Sequence, residues 1–499
     1  MEQLCYQINK DFITQQKKGF FKPNTKYHKL LTTNKKKLTE MNNYIKLNID
    51  TIDDNIVYSL HELYNNLDDI PNIGNILKLL NQRKNDIEKT ILLNYDFKEE
   101  FKAIEIGTEK LLNYNSIKKT QSIEIKEMIT IVENYIREKK LLCYGGQAIN
   151  NILPKDKQFY QDSDLPDYDF FSPNAKDDAI ELSNIFHKNK FKYIEAKEAI
   201  HDNTYKIFVN FEPIADITQI PKYLFYRMRQ DSEIVDGIHY VSANILRMGI
   251  YIEISRPKGD ITRWNKLYHR LHLLNTYKPI KKCKFIIDTF PKLNTHIDYI
   301  STYLQKNDVV LFGPQCFNIY NSIGNLTSVN KEYSRFYLLS NNYKTHSNDL
   351  TNILNSIDNK SFIKRKHYPI FERVPSHYII SYKNIPLIII FKTDDCYSYH
   401  KWNSIKIATI ETILRFFFSF LLVKRSYLNT ENIICMANEL IQLQKINYDR
   451  NIDIFDKFTT NCIGNPITKS NIFKKRWNSK KRFLYRPENY TIKIKRINR

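Results

Sequence analysis

The sequence predicts a mixed α/β protein, and three observations predict it. Short apolar runs alternate with stretches of helical periodicity from Ile123 onward. Two glycines, Gly145 and Gly146, stand between an apolar run and a helical one, and the segment around them is nearly repeated farther along the chain. With 499 residues the chain has room for two or three domains. Residues 1–120 read as a mainly helical N-terminal domain, with Leu60, Leu63 and Leu67 before the Pro71 break and Ile76, Leu77, Leu79 and Leu80 after it. Residues 121–294 read as a central α/β domain, and residues 295–499 as a second one ending in a basic tail.

In the central domain, Ile125, Met128, Ile129, Ile131, Val132, Tyr135 and Ile136 form the apolar face of a helix that runs into Lys139 and Lys140. A strand follows from Leu141 to Tyr144, a second over Tyr168 to Phe171, and a third over Ile207 to Phe211, continuing from Ile214 to Ile217 after Pro213. Helices are expected over Asn244 to Ile254 and Trp264 to Leu274, with a Pro/Gly turn at Ser255 to Asp260 between them.

Lys and Arg total 76 against 54 Asp and Glu, a net charge of +22 that favours a polyanionic partner. An AT-rich genome also favours Lys, Asn and Ile, so the charge alone does not separate RNA from DNA or a membrane surface. Seven scattered cysteines without a C-x-x-C pair point to a reducing compartment and no structural zinc. The N-terminus lacks the apolar core of a signal peptide. The longest apolar stretch, Ile405 to Val423, contains Lys406, Glu411 and Arg415, so a buried helix of a soluble core is expected and no membrane span.

Three segments carry the chemistry. In Leu142 to Asn150, Gly145 and Gly146 let backbone N–H groups approach phosphates at the start of a helix, although a plain strand-to-helix turn looks the same. In Asp164 to Ser172, Asp167 and Asp169 are two apart and leave the same face of a strand. Paired carboxylates there are suited to sharing cations, the alternative being solvation at a strand edge. In Phe211 to Thr218, Asp216 is the one acid in the otherwise apolar run Ile214 to Ile217, where it needs either a metal or an Arg or Lys partner. Their succession between Gly145 and Asp216 is a sharper signal than any one of them.

These residues in this order resemble the DNA polymerase beta-like nucleotidyltransferase superfamily. More narrowly, Tyr144 to Ala148, Leu165 to Ser172, and Ser255 to Asp260 with Arg263 and Trp264 look like the poly(A) polymerase catalytic subunits of poxviruses and related large DNA viruses. The resemblance covers residues 120–290 firmly and the rest loosely. It implies a nucleotidyltransferase fold, ATP as donor, a single-stranded RNA 3′ end as acceptor, and two ions of Mg²⁺ or Mn²⁺. Asp167 and Asp169 would bridge both ions and Asp216 would hold one, serving also as the base. Gly145 and Gly146 would lie against the triphosphate with Gln147 at the helix start, although many superfamily members carry a small or hydroxyl residue at that third position. Arg256, Lys266 and Tyr268 are the further nucleotide contacts expected. Arg263, Lys266 and Arg270 share a helical face, fit for phosphates or simply for solvent. Relatives of this kind work with a viral processivity subunit or as self-sufficient assemblies, and a homodimer is expected here. The expected location is the host cytoplasm, in the viral factory, with packaging in the virion.

Val310 to Asn318 reads much like Leu142 to Asn150. Ser172 lies 26 residues after Gly146 and Ser340 lies 26 after Pro314, which aligns Asp167 and Asp169 with Arg335 and Tyr337. Pro386 to Phe391 resembles Pro213 to Thr218, with Ile389 in place of Asp216. A degenerate nucleotidyltransferase-like C-terminal domain that binds no metal is therefore expected. The final segment, 469–499, carries 12 Lys or Arg against Glu488, with Phe473, Trp477, Phe483, Tyr485 and Tyr490 interleaved. It suits either RNA or docking on its own domain. Two alternatives to the polymerase stand: a non-catalytic RNA-binding subunit, and a nucleotidyltransferase with a different acceptor.

Overall fold

The computed structural model describes residues 98–160, 166–199, 201, 203–281, 283–286, 294–324, 335–358, 361–371, 373–423, 429–447, 453–456, 458–466, 468 and 483–487. The apolar periodicity around Leu60 to Leu80 and most of the basic tail lie outside these residues. By contacts the chain divides into two compact units, 1–114 and 115–499. The second unit contains both α/β halves.

The first half opens with α1 (Lys98–Thr120), which begins in the preceding unit, and α2 (Ile123–Lys139). It continues through β1 (Leu142–Tyr144), α3 (Gly145–Ile152), β2 (Tyr168–Ser172), α4 (Ala175–Lys188), β3 (Glu195–Glu198), β4 (Thr204–Val209) and β5 (Glu212–Gln219). It closes with α5 (Lys222–Gln230), β6 (Glu233–Val235), β7 (Ile238–Tyr240), α6 (Ala243–Ile254) and α7 (Trp264–Tyr277). The second half runs α8 (Asn294–Lys306), β8 (Val310–Phe312), α9 (Pro314–Gly324), β9 (Phe336–Ser340), α10 (Tyr343–Ile357), β10 (Phe362–His367), β11 (His377–Tyr382) and β12 (Ile385–Lys392). It ends with β13 (Tyr397–Trp402), β14 (Ile405–Ala408), α11 (Ile410–Leu421), α12 (Thr430–Asn447), β15 (Cys462–Ile463) and β16 (Leu484–Tyr485).

Two eight-stranded mixed sheets result, ordered β16-β3-β4-β5-β2-β1-β7-β6 and β10-β11-β12-β9-β8-β14-β13-β15. Setting aside β16 and β15, the strand orders are the same, and so is the sense of every pairing. β1 and β8 run antiparallel to β2 and β9, which run parallel to β5 and β12. The register agrees to the residue: Tyr144 faces Asp169 as Phe312 faces Tyr337, and Asp169 faces Asp216 as Tyr337 faces Ile389. Even the turns repeat, since the N–H of Asn174 donates to Ser172 Oγ (2.8 Å) and that of Asn342 to Ser340 Oγ (3.0 Å). The repeat read from the sequence is thus a repeat of the fold. In the second copy the place of the acids is filled by packing: Phe312, Tyr337, Phe391 and Phe416 are all buried in one aromatic cluster. Burying each such ring is worth roughly 2–3 kcal/mol, which offsets the loss of any cation site.

The equivalent helices α6 and α11 pack against each other between the halves, with Tyr251 stacked on Phe418 at 5.8 Å. Polar ties follow the same seam. Arg256 pairs with Asp395 at 2.7 Å, the Ser398 N–H donates to the Ser255 carbonyl at 3.0 Å, and Arg227 Nη2 donates to the Leu421 carbonyl at 2.8 Å.

Three expectations are corrected. The stretch from Ile207 to Ile217 is a hairpin of β4 and β5 and no interrupted strand. Asn210 and Phe211 turn the chain with φ of 51° and 68°, in a pair of positions that usually calls for Asn-Gly. Pro213 is tolerated because the register shifts beside it at Ile207/Phe208. Ile405 to Val423 is not one helix: Ile405–Ala408 is a strand paired with β8 and β13, and Thr409 then caps α11 by accepting the Thr412 N–H. Four of the cysteines are paired as disulfides, Cys283 with Cys435 and Cys396 with Cys462, across 152 and 66 residues of sequence. Among the described residues, no helix is long and apolar enough to cross a membrane.

Candidate active site

Asp169 lies on β2 and Asp216 beside it in register on the parallel β5, so their side chains leave neighbouring strands on one face. Asp167, exposed, precedes β2 by one residue and faces the same way as Asp169. Gly145 closes the site from the side of β1. Its φ is +76°, and a Cβ there would overlap the Asp169 carboxylate, so only glycine lets the turn lie this close to the acid. Tyr144, whose ring stacks on Phe171 at 4.0 Å, shares a hydrogen bond with Thr218 at 2.8 Å and ties the turn to β5.

Two of the acids are held above the usual carboxylate range, with burial the first cause for each. Burial, then the charges of Asp167 and Asp216, push the Asp169 carboxyl up to about 8, against the opposing pull of Lys206 and Arg263. Asp216 is raised as well, by burial first, with Lys206 opposing. Lys206 stands across the hairpin from Asp216 and its Nζ lies 3.2 Å from the carboxylate. The Lys partner weighed as an alternative to metal is therefore present, and its charge also opposes the upward shift of Asp169 without cancelling it. Among the described residues, no three His, Cys, Asp or Glu side chains close into a ready cage for one ion. A site that shares cations with a nucleotide's phosphates needs only one to three protein oxygens per ion, so the residues present fit such ions.

A pH dependence follows from Asp169. Between about pH 4 and 8 the folded protein keeps a proton that the unfolded chain has released, so stability falls as pH rises through that window. In EDTA, Asp169→Asn is expected to flatten the fall and to stabilise the protein by ~2 kcal/mol at pH 8 while changing little at pH 4. Thermal unfolding across that range checks it, and parallel slopes for the two proteins would contradict the assignment.

Around Gly146 the site brings Arg270, singled out in the sequence, together with Tyr160, which was not. A Cβ on Gly146 would overlap the Tyr160 hydroxyl and lie 2.7 Å from Arg270 Nη2. Arg270 donates to that hydroxyl at 2.8 Å, and its guanidinium lies 5.1 Å from the Phe159 ring. Arg270 belongs to the buried face of α7 with Leu267, Leu271 and Leu274, whereas Lys266 is exposed at its margin and Arg263 pairs with Glu253 at 3.0 Å. Those three cations are thus no uniform solvent-facing stripe. Gln147 is buried, with Nε2 3.4 Å from Asn151 Oδ1 and its own Oε1 without a hydrogen bond. Arg256 is paired with Asp395, and Tyr268 donates to Glu411 at 3.3 Å while its ring meets Phe458. Lys206 could have been found by recognising the hairpin. Tyr160 carried no signal, because it arrives from the connection between α3 and β2.

A mixed sheet with a glycine turn opening a helix beside acids on adjacent strands is the arrangement expected of a nucleotidyltransferase fold. Residues 130–260 match the family model for the poly(A) polymerase catalytic subunit. Over 431 residues, 74% of this chain and 73% of the relative, the sequence is 24% identical to a protein of Acanthamoeba polyphaga mimivirus named "Putative poly(A) polymerase catalytic subunit". A protein of African swine fever virus with the same name is 29% identical over 175 residues, 33% of this chain and 35% of that one. The crystal structure of the Megavirus polyadenylate synthase superposes with a TM-score of 0.69 at 22% identity, covering 79% of this chain and 87% of that one. The resemblance to poly(A) polymerase catalytic subunits of large DNA viruses, read from three short motifs, is borne out.

Proposed function

We propose that the chain is a polynucleotide adenylyltransferase, the catalytic subunit of a template-independent poly(A) polymerase that transfers AMP from ATP to the 3′ end of RNA in mRNA polyadenylation. The observation that carries this reading is the register pairing of Asp169 with Asp216, with Asp167 two residues upstream and Gly145 closed against Asp169.

In the reaction the acceptor's 3′ oxygen attacks the α-phosphorus of ATP, the bond to the β-phosphate breaks, and pyrophosphate leaves with the electron pair. Asp216 accepts the hydroxyl proton, a task suited to a carboxylate whose pKa burial has raised. Two divalent cations, Mg²⁺ or Mn²⁺, would be held by Asp167 and Asp169, one of them also by Asp216. When bound they supply charge neutralisation on the triphosphate and a lowered pKa at the attacking hydroxyl. Lys206 holds Asp216 in place until then. The N–H groups at Gly145, Gly146 and Gln147 and the Arg270 guanidinium line the triphosphate's side of the site. Arg256 and Tyr268 would have to exchange their partners in the second half to reach the nucleotide, while Lys266 is exposed.

The test is incubation of an end-labelled single-stranded RNA with each NTP in turn and Mg²⁺ or Mn²⁺. A ladder with ATP is expected. A binding subunit would retard the RNA without lengthening it, and an enzyme with another acceptor would leave it unextended while adenylating that acceptor.

A further inference from the structure

The two sheets repeat each other, yet their equivalent outer edges are treated differently. In the first sheet the edge strand β3, Glu195-Ala-Lys-Glu198, is covered by the chain's own tail. β16 pairs with it through Leu484 and Tyr485, Arg486 pairs with Glu195, and the Phe483 ring meets Tyr205 edge-on at 5.4 Å. That part of the tail docks on its own domain, so Phe483 and Tyr485 are taken up by protein. In the second sheet the equivalent strand β10 ends the sheet with no strand beyond it among the described residues. Its sequence is Phe362-Ile-Lys364-Arg365-Lys366-His367, without an acid, and Arg365 and Lys366 are exposed.

Aromatic rings lie among these cations. Lys366 sits over the Tyr368 ring at 5.2 Å and Lys364 over the Tyr378 ring at 5.1 Å, and Tyr368 is 73% exposed. The strand also points somewhere. Its His367 end leads into a tight turn closed by the Ile370–Val374 bridge, which carries Arg373. The end of that turn is fixed at the seam between the halves, because the Lys392 N–H donates to the Ser376 carbonyl at 2.8 Å and Asp395, three residues on, holds Arg256. Arg373 is within electrostatic reach of the Tyr144 hydroxyl, next to the Gly145 turn.

We propose that the open edge of the second sheet, through Lys364, Arg365, Lys366 and Tyr368, is the path by which single-stranded RNA is led past Arg373 to the carboxylates. The assignment rests on the reading of RNA as acceptor and adds where the strand runs. Cations that meet phosphates, interleaved with exposed rings that meet bases, bind single strands without reading their sequence. That suits an acceptor whose tail changes with every addition. Six extended residues span about 20 Å, enough to hold several nucleotides upstream of the 3′ end. Charge on an edge strand also discourages pairing with foreign strands, but either sign does that. Charge reversal separates the two roles.

The experiment measures binding of a fluorescent single-stranded RNA by anisotropy across a salt series. Wild type is compared with Arg365→Glu/Lys366→Glu and with Lys188→Glu/Lys190→Glu, an equal charge change at exposed lysines of α4 and just beyond it. The edge pair is expected to weaken binding at least ~10-fold and to lower the salt slope by about 1.5, and the α4 pair to weaken it less than ~2-fold. Binding by the edge variant within ~2-fold of wild type, or equal loss from both pairs, overturns the path. Unfolding midpoints show that the variants fold, and Arg365→Gln/Lys366→Gln replaces the reversal if it destabilises, with the same direction expected. Wild type that extends RNA beside an edge variant that binds it unchanged removes the path and leaves the polymerase standing. Wild type that binds along this edge but never extends RNA does the opposite.

Discussion

Asp167→Ala is expected to lose RNA extension by about a thousandfold or more while binding RNA within a few-fold of wild type. Asp167 is exposed, so its truncation removes a proposed cation ligand without opening a cavity, and folding is expected to survive. Asp216 behaves differently. Its loss leaves Lys206 half-buried without its 3.2 Å partner, so Asp216→Ala should cost ~1–2 kcal/mol of stability as well as the activity. Asp216→Asn, which keeps a hydrogen-bond acceptor for Lys206, recovers most of the stability and none of the catalysis. Single-turnover extension, with thermal unfolding alongside, checks all three. Extension within tenfold of wild type by Asp167→Ala would remove that acid from the chemistry.

Gly145→Ala and Gly313→Ala form the second test, made possible by the repeat. Both glycines hold φ near +76°, and in each a Cβ meets the residue at the same register position, Asp169 in one sheet and Tyr337 in the other. Backbone strain and crowding should destabilise either variant by about 1–3 kcal/mol. Only Gly145→Ala displaces a carboxylate, and a shift of about 1 Å there is expected to reduce extension about a hundredfold per folded molecule. Gly313→Ala presses on an aromatic cluster and should leave the rate per folded molecule near wild type. Equal rates for the two variants would mean that the turn at Gly145 has no part in holding Asp169.

The three acids and the glycine turn were readable in the sequence because they are telling residue types at short separations: Asp167 and Asp169 two apart at the start of one strand, and Gly145 and Gly146 directly after another. The second copy was readable for a related reason, since the Gly313 turn and the Ser340 turn keep the backbone geometry after the acids are gone. What depended on distant partners was not readable. Lys206 becomes significant only once Asn210 and Phe211 fold the chain back, and a turn without glycine concealed that. Arg256 and Tyr268 look like ligand-seeking side chains in isolation, yet their partners, Asp395 and Glu411, come from the other half of the unit. The β14 strand was hidden because Ile405 to Ala408 runs without a break into the buried helix behind it. The disulfide partners are too far apart in sequence for spacing to reveal them.

Asp167, Asp169 and Asp216 are proposed to form one centre for divalent ions shared with a nucleoside triphosphate. Crystals grown with Mn²⁺ and a non-hydrolysable ATP analogue, measured at the manganese edge, test it most directly. Anomalous density is expected against all three carboxylates, with Lys206 drawn away from Asp216 and the triphosphate along the Gly145 turn. A seated triphosphate with manganese bound away from these acids, or with Lys206 still paired to Asp216 and no ion beside Asp169, would contradict it.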